Sequence, residues 1–257
     1  MKKPYEVQNF WTVPIQAPLV NESCFPPFSC INSKALTAYF RVNPEVINKY
    51  LEPTPFEYVS DVVYAYVSDY TTADPNDGYN QGFYDTGLVI PVKYKGRVGV
   101  HVLFEYENHD YAIAAGREIW GYPKKYGEAT LKEENGKLIG IVYKNGTDLI
   151  RLEMDLSAKL KKPIQKPTLF PHFQIKVDPK PDGPGIDSKK ILSRDASADF
   201  VTKSYIERSI KVELKGIPYN RLDEFQPVEI LGGSYTIGDY HASMENGWAK
   251  IEEFIKG

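Results

Sequence analysis

Short apolar runs rich in Val, Ile, Tyr and Phe, separated by turn residues, dominate the chain, and this is the pattern of β-strands. "ALTAYFRV" (35–42) predicts a strand; Asn43 as N-cap and Pro44 behind it then predict a short helix over EVINKYL. "FEYVSDVVYAYV" (56–67) predicts one long strand and "TTADPNDGYNQG" a loop. "GLVIPVKYKGRVGVHVLFEY" predicts two strands around a turn at Lys95–Gly96.

The period changes in DYAIAAGREIWG. Asp110 caps a helix there, and Ala112, Ala115, Gly116 and Ile119 share one face whose small residues predict close packing. Gly121 ends the helix and Pro123 forces an extended chain. YGEATLKEE, KLIGIVY and DLIRLEMDL then form three strands joined by two Asn-Gly turns. "DPKPDGPGID" (178–187) is a Pro/Gly loop, a connector with an active-site lid as the alternative, strands follow near 204–214 and 228–237, and Trp248, Ile251, Phe254 and Ile255 mark the packed face of a C-terminal helix. With no repeat and no linker, the reading is one domain over 1–257, α+β and mostly antiparallel β with a few short helices.

At 42% hydrophobic, the 257 residues can bury a large core. A net charge of -3 does not favour nucleic acid or an anionic membrane as a partner. No window is apolar enough to span a bilayer and the N-terminus lacks a signal-peptide core, so the expectation is a cytoplasmic protein. Cys24 and Cys30 suit small buried hydrophobes, and Asn145–Thr147 suits a turn better than a glycosylation site.

His101, His109, His172 and His241 show no paired ligand spacing, so no metal is expected. Phosphate-binding and nucleophile-elbow motifs are missing. What remains is "EIWGYPKKYGE" (118–128), two lysines pinned behind Trp120, Tyr122 and Pro123. A neutral lysine amine adds to a carbonyl to give a Schiff base, whose protonated nitrogen draws electrons from the neighbouring carbon. Neutrality near pH 7 requires a pKa far below the usual value of about 10.4, which burial or a nearby cation can produce. On an extended strand Lys124, Tyr126, Glu128 and Thr130 face one way and Lys125, Gly127, Ala129 and Leu131 the other. The lysines then diverge, leaving burial as the larger effect and Lys125 anchored elsewhere, on a carboxylate for example. Two solvated lysines at a strand start are the plainer alternative.

The longer string "AIAAGREIWGYPKKYGEATL" resembles the signature of the acetoacetate decarboxylase family, a G-R-E element followed by Y/F-P-K-K before a strand. The likeness continues through "GFYDTGLVIPVKYKG", "FQIKVDPKPDGPG" and "FQPVEILGGSYTIGDY", roughly 220 residues in all. It implies a large antiparallel sheet curled into a barrel-like or cone-shaped cavity, and a homo-oligomer. It also implies a Schiff-base β-keto acid decarboxylase that needs no external cofactor, an activated lysine being the precedent that acetoacetate decarboxylase itself set.

Carried over by motif, Lys124 is the Schiff-base lysine and Lys125 the neighbour that depresses its pKa. Asp85 stands where relatives carry a pocket glutamate, and Arg117 and Glu118 are either a structural ion pair or part of the site. Tyr64, Tyr66, Trp120 and Tyr122 line a pocket or fill the core. The family's carboxylate-binding arginine falls near Ser33 or Lys34 and a second pocket glutamate near Ala65, while Arg41 matches a different family arginine. These departures keep two other readings open: an aldolase or dehydratase using the same lysine, and a non-catalytic small-molecule binder.

Overall fold

The computed structural model describes residues 12–13, 19–20, 25–71, 82–160 and 162–256. Its first half runs β1 (Phe28–Arg41), α1 (Pro44–Leu51), β2 (Glu57–Tyr58), β3 (Val62–Asp69), β4 (Tyr84–Tyr94), β5 (Arg97–Glu107) and α2 (Asp110–Glu118). Then come β6 (Lys124–Tyr126), β7 (Glu128–Glu134), β8 (Lys137–Lys144), β9 (Thr147–Asp155), β10 (His172–Pro179) and β11 (Ile186–Arg194). The chain ends with β12 (Phe200–Arg208), β13 (Ile210–Leu214), β14 (Gly216–Ile217), β15 (Asn220–Arg221), β16 (Glu229–Ala242) and β17 (Lys250–Lys256).

An eleven-stranded sheet follows the order β12-β16-β1-β3-β4-β5-β10-β11-β17, with β2 on β4 and β6 on β5. Pairing is antiparallel except where β10 and β6 join β5. This sheet curves without closing into a barrel. A four-stranded sheet, β13-β9-β8-β7, packs on one of its faces.

Period-two alternation decides which face is which. Leu36, Ala38 and Phe40 of β1, Val63, Ala65 and Val67 of β3, and Leu88, Ile90 and Val92 of β4 join Leu138, Ile150, Leu152 and Met154 in the core between the sheets. Each fully buried aliphatic side chain of this kind contributes roughly 1.5–3 kcal/mol. Their alternates Tyr39, Tyr64 and Val89 lie on the opposite face with Trp120 and Tyr122.

The Asn-Gly turns form as expected, with Asn135, Gly136, Asn145 and Gly146 all at positive φ, as a tight hairpin turn requires. Asn43 caps α1, its side chain accepting from the Glu45 amide. Residues 180–185 join β10 to β11 as a connector, Lys180 N bonding to Gly185 O at 3.2 Å, while both ends of the 178–187 run belong to the strands. Cys30 is buried, as expected; Cys24 and most of the 71–82 loop lie outside the described residues.

Two expectations are corrected. The run 56–67 is two strands: the chain bends at residues 59–61, where Asp61 accepts an ion pair from Arg41 at 2.5 Å. The C-terminal helix is strand β17, paired to the open edge of β11, and Ile251, Phe254 and Ile255 stay exposed. Helical spacing was present, but an unpaired sheet edge offers backbone hydrogen bonds that an isolated short helix cannot match. Trp248 does pack, against Phe25 and Trp120.

Candidate active site

The cavity is the hollow of the large sheet, roofed by α2, with a volume of about 630 Å3. Its walls are mainly aromatic, including Tyr39, Tyr64, Tyr66, Tyr70, Trp120 and Tyr122, so the tyrosines of β3 line a pocket as well as packing.

Lys124 enters from the short strand β6. Gly116 of α2 lies against its methylene stem, where a Cβ would overlap Lys124 Cδ and Cε, so the small-residue face of the helix is what admits the side chain. Arg117 donates from Nη1 to the Lys124 carbonyl at 3.1 Å, and Tyr122 N bonds to Gly116 O at 3.0 Å. These contacts pin the Y-P-K-K turn from behind.

Three carboxylates surround the ammonium. Lys124 Nζ donates to Glu107 Oε1, and lies 3.5 Å from Asp85 Oδ2 and 3.8 Å from Glu105 Oε1. Tyr66 OH donates to Asp85 Oδ1 at 2.8 Å and to Glu105 Oε1 at 3.3 Å, tying two of the acids together. Glu105 Oε2 and Glu107 Oε2 are buried without a partner among the described residues.

A β-bulge explains how the glutamates arrive there. Between β4 and β5 the pairing passes from Leu88↔Phe104 to Val89↔Val102, so Leu103 is an extra residue. Before it Val100 and Val102 face the cavity side; after it Phe104 and Tyr106 turn into the inter-sheet core, leaving Glu105 and Glu107 to the cavity. Glu107 then pairs with Asp85, and Glu105 stands beside Lys124 in parallel register.

The electrostatics reverse one expectation. Burial does press the Lys124 pKa downward, but Asp85, Glu105 and Glu107 together outweigh it and raise it well above the ordinary lysine value. Burial raises the acids too: Glu105 well above the carboxylate range, and Glu107 to about 8 despite the adjacent ammonium. Lys124, Glu105 and Glu107 therefore all favour their protonated forms. Burial was foreseen for Lys124 and the resemblance had placed Asp85 at the pocket, but the two glutamates of β5 were not foreseen.

Lys125 points away, as alternation requires, with Nζ donating to Tyr219 O at 2.7 Å and to Asn220 Oδ1 at 3.1 Å. Its anchor is a carbonyl and an amide in place of a carboxylate. Alternation continues through Gly127 as the chain passes to the smaller sheet, with Gly127, Ala129 and Leu131 buried, but Tyr126, Glu128 and Thr130 are exposed and do not share the surroundings of Lys124.

Lys124, Asp85, Tyr64, Trp120 and Tyr122 thus meet at one cavity, whereas Lys125, Arg117 and Glu118 are not among its lining residues. Arg117 and Glu118 are exposed, and Arg117 braces the lysine backbone. Ser33 and Lys34 do not line this cavity, and Ala65 belongs to the inter-sheet core. Arg41 pairs with Asp61 and Glu229.

Sequence reasoning missed Glu105, Glu107 and Arg194. "LFEYE" offered the only sign of the glutamates, two acids spaced for one strand face. Arg194 reaches the cavity from the end of β11, its guanidinium 4.7 Å from the Trp120 ring and its Nη2 donating to Tyr240 OH at 2.8 Å. Tyr122 OH is hydrogen-bonded to His172 Nδ1 at 3.0 Å, and burial, followed by the charge of Arg194, pushes His172 down to about 4. Among the described residues no group of three or more His, Cys, Asp or Glu is placed to hold a metal ion; the three acids surround an ammonium instead. No helix among them is long and apolar enough to cross a membrane.

The sequence profile of the acetoacetate decarboxylase family matches residues 12–248. An acetoacetate decarboxylase of Acidiphilium cryptum is 29% identical over 170 residues, covering 61% of this chain and 63% of that enzyme, so the match spans less than two thirds of its length. A solved acetoacetate decarboxylase structure superposes with a TM-score of 0.78 at 20% identity, covering 93% of each chain. The enduracididine biosynthesis enzyme MppR, complexed with the condensation product of pyruvate and imidazole 4-carboxaldehyde, superposes with a TM-score of 0.71 at 14% identity, covering 94% of this chain and 95% of that one. At these identities the two structures speak for the fold alone.

Proposed function

Because this chain belongs to the acetoacetate decarboxylase family, we propose that it is a lyase that binds a keto acid as a Schiff base on Lys124 and decarboxylates it. The observation that carries this reading is a buried lysine in direct contact with a glutamate that, once ionised, can take its proton. No external cofactor is needed, because the iminium is the electron sink.

In the form with Glu107 ionised, the proton passes from Lys124 Nζ to Glu107 Oε1 as substrate fills the cavity, and the free amine adds to the ketone carbon. The carbinolamine hydroxyl takes a proton and leaves as water, giving the iminium. The bond to the substrate carboxylate then breaks, CO2 departs, and the electron pair flows into the iminium nitrogen to form an enamine. A carboxylic acid of the cluster protonates the enamine carbon; water hydrolyses the new iminium, releasing the ketone and restoring Lys124. Activation on this reading is proton transfer to a neighbouring base, supported by the three acids, in place of an ammonium neutralised by apolar walls.

Borohydride reduction with acetoacetate, followed by peptide mapping, tests the proposal: the added mass belongs on Lys124, with CO2 released in parallel turnovers. An unmodified Lys124 under turnover conditions would leave only a small-molecule binder. The same acids also suit proton transfers in an aldolase or dehydratase using this lysine, and that second reading is favoured if the adduct forms but no CO2 appears.

A further inference from the structure

Three cationic side chains line the cavity, and their partners differ. Lys124 is held by three carboxylates. Lys166 pairs with Glu207 at 2.5 Å and donates to Tyr205 OH. Arg194 donates from Nε to Gly247 O at 2.8 Å and from Nη2 to Tyr240 OH at 2.8 Å, and stacks on Trp120; the phenols of Tyr122 and Tyr240 are its main ionisable neighbours, Asp199 and His172 act on it more weakly, and no carboxylate among the described residues forms an ion pair with it. Neutral oxygens orient the guanidinium without pairing it directly to a carboxylate, so an anion that reaches it gains a charge-assisted hydrogen bond. Beside it the buried Trp120 indole has an N–H with no partner among the described residues, a second donor next to the first.

Tyr122 separates this donor group from the lysine. Lys124 Nζ lies 5.7 Å from the Tyr122 ring centroid, while Arg194 neighbours the same residue. A cavity of about 630 Å3 is far roomier than a four-carbon acid needs and matches sites for larger ligands.

Resting on the Schiff-base reading of Lys124, we propose that Arg194 anchors a substrate carboxylate that the reaction leaves in place, so that the substrate is a keto acid carrying an acid group beyond the reacting carbons. The planar fork of arginine matches a carboxylate bidentately. A carboxylate held there is stabilised in the ground state relative to neutral CO2, which makes it the wrong group to expel. Any carboxylate that is lost sits at the other end, among the acids around Lys124.

Borohydride trapping with 4-oxopentanoate and 5-oxohexanoate, compared with 2-pentanone and 2-hexanone, isolates this role because none of the four loses CO2. In the native protein at least one oxo acid should half-saturate trapping at a concentration about tenfold or more below its matching ketone, as a charge-assisted hydrogen-bonded pair allows. R194Q should erase that preference, bringing each oxo acid to the half-saturating concentration of its matching ketone, and R194K should restore part of it. R194K carries the comparison alone should R194Q not fold. No acid preference in the native protein, or an equal loss for acids and ketones in the variants, overturns the inference. Absence of trapping with every probe would instead defeat the Schiff-base reading; quenching of tryptophan fluorescence, with Trp120 against the guanidinium, would then read the same acid-over-ketone preference.

Discussion

Gly116 of α2 and Lys124 of β6 touch so closely that the helix has no room for a side chain there: a Cβ on Gly116 would overlap Lys124 Cδ and Cε. Gly116→Ala should therefore displace the amine from its acids while leaving the hydrophobic core intact. Overpacking of this kind costs about 1–3 kcal/mol in stability, and a misplaced reacting group costs about a hundredfold in rate. A thermal melt together with borohydride trapping checks both. Full trapping in G116A would show that the close approach has no functional weight.

Stability should fall as pH rises from about 6.5 to about 8. Burial pushes the folded-state pKa of Glu107 up to about 8 from an ordinary 4.5, and Glu105 moves the same way. A raised folded pKa gives a contribution that is complete below the ordinary value and is lost as pH climbs through the folded one. His101 and His172, pushed down to about 4 by burial, act in the opposite sense, but their contribution is already complete above the ordinary histidine value of 6.5. Lys124 is raised, so it keeps its proton through this window. Melting temperature measured across the window should decline, and E107Q should flatten the slope; an unchanged slope in E107Q would contradict the assignment.

Lys125→Ala should reduce stability more than it shifts the pH dependence of Schiff-base formation. The Lys125 ammonium is held on the far side of the strand by Tyr219 O and Asn220 Oδ1, and the effects that set the Lys124 pKa are burial and the three acids. Loss of these hydrogen bonds costs about 1 kcal/mol or somewhat more. A pH–rate profile displaced by a full unit in K125A would restore the electrostatic role that the family likeness implies for this residue.

Much of the fold was legible because its signals are local. Asn135–Gly136 and Asn145–Gly146 announce hairpins through the positive φ that their backbone adopts, and Asn43–Pro44 announces α1 through the side-chain cap and the N1 proline. Lys124 and the glycine face of α2 were legible for similar reasons. Glu105 and Glu107 were not, because one bulge residue, Leu103, reverses the phase of β5 and the reversal shows only against β4. Nor was Arg194, which a later strand brings beside Trp120 from 74 positions downstream. The sign of the Lys124 shift depends on those same distant acids, so the lysine pair alone pointed toward a depressed pKa where the assembled site raises it.

The three acids should differ in kinetic weight, and Glu107 should matter most. Its Oε1 accepts directly from Lys124 Nζ, whereas Asp85 stands 3.5 Å away and is also held by Tyr66. E107Q keeps the shape but removes the base, so Schiff-base formation should fall by about 10²–10⁴-fold, the usual range for loss of a positioned proton acceptor. D85N removes a neighbouring charge and leaves that acceptor in place, so its loss should be smaller. Its pH–rate profile should also move toward lower pH, because one of the charges holding the Lys124 proton is gone. Single-turnover trapping rates across pH for the two variants give both comparisons. If D85N proves the more damaging, Asp85 rather than Glu107 is the base, and the resting contact between Glu107 and Lys124 only holds the ammonium in place.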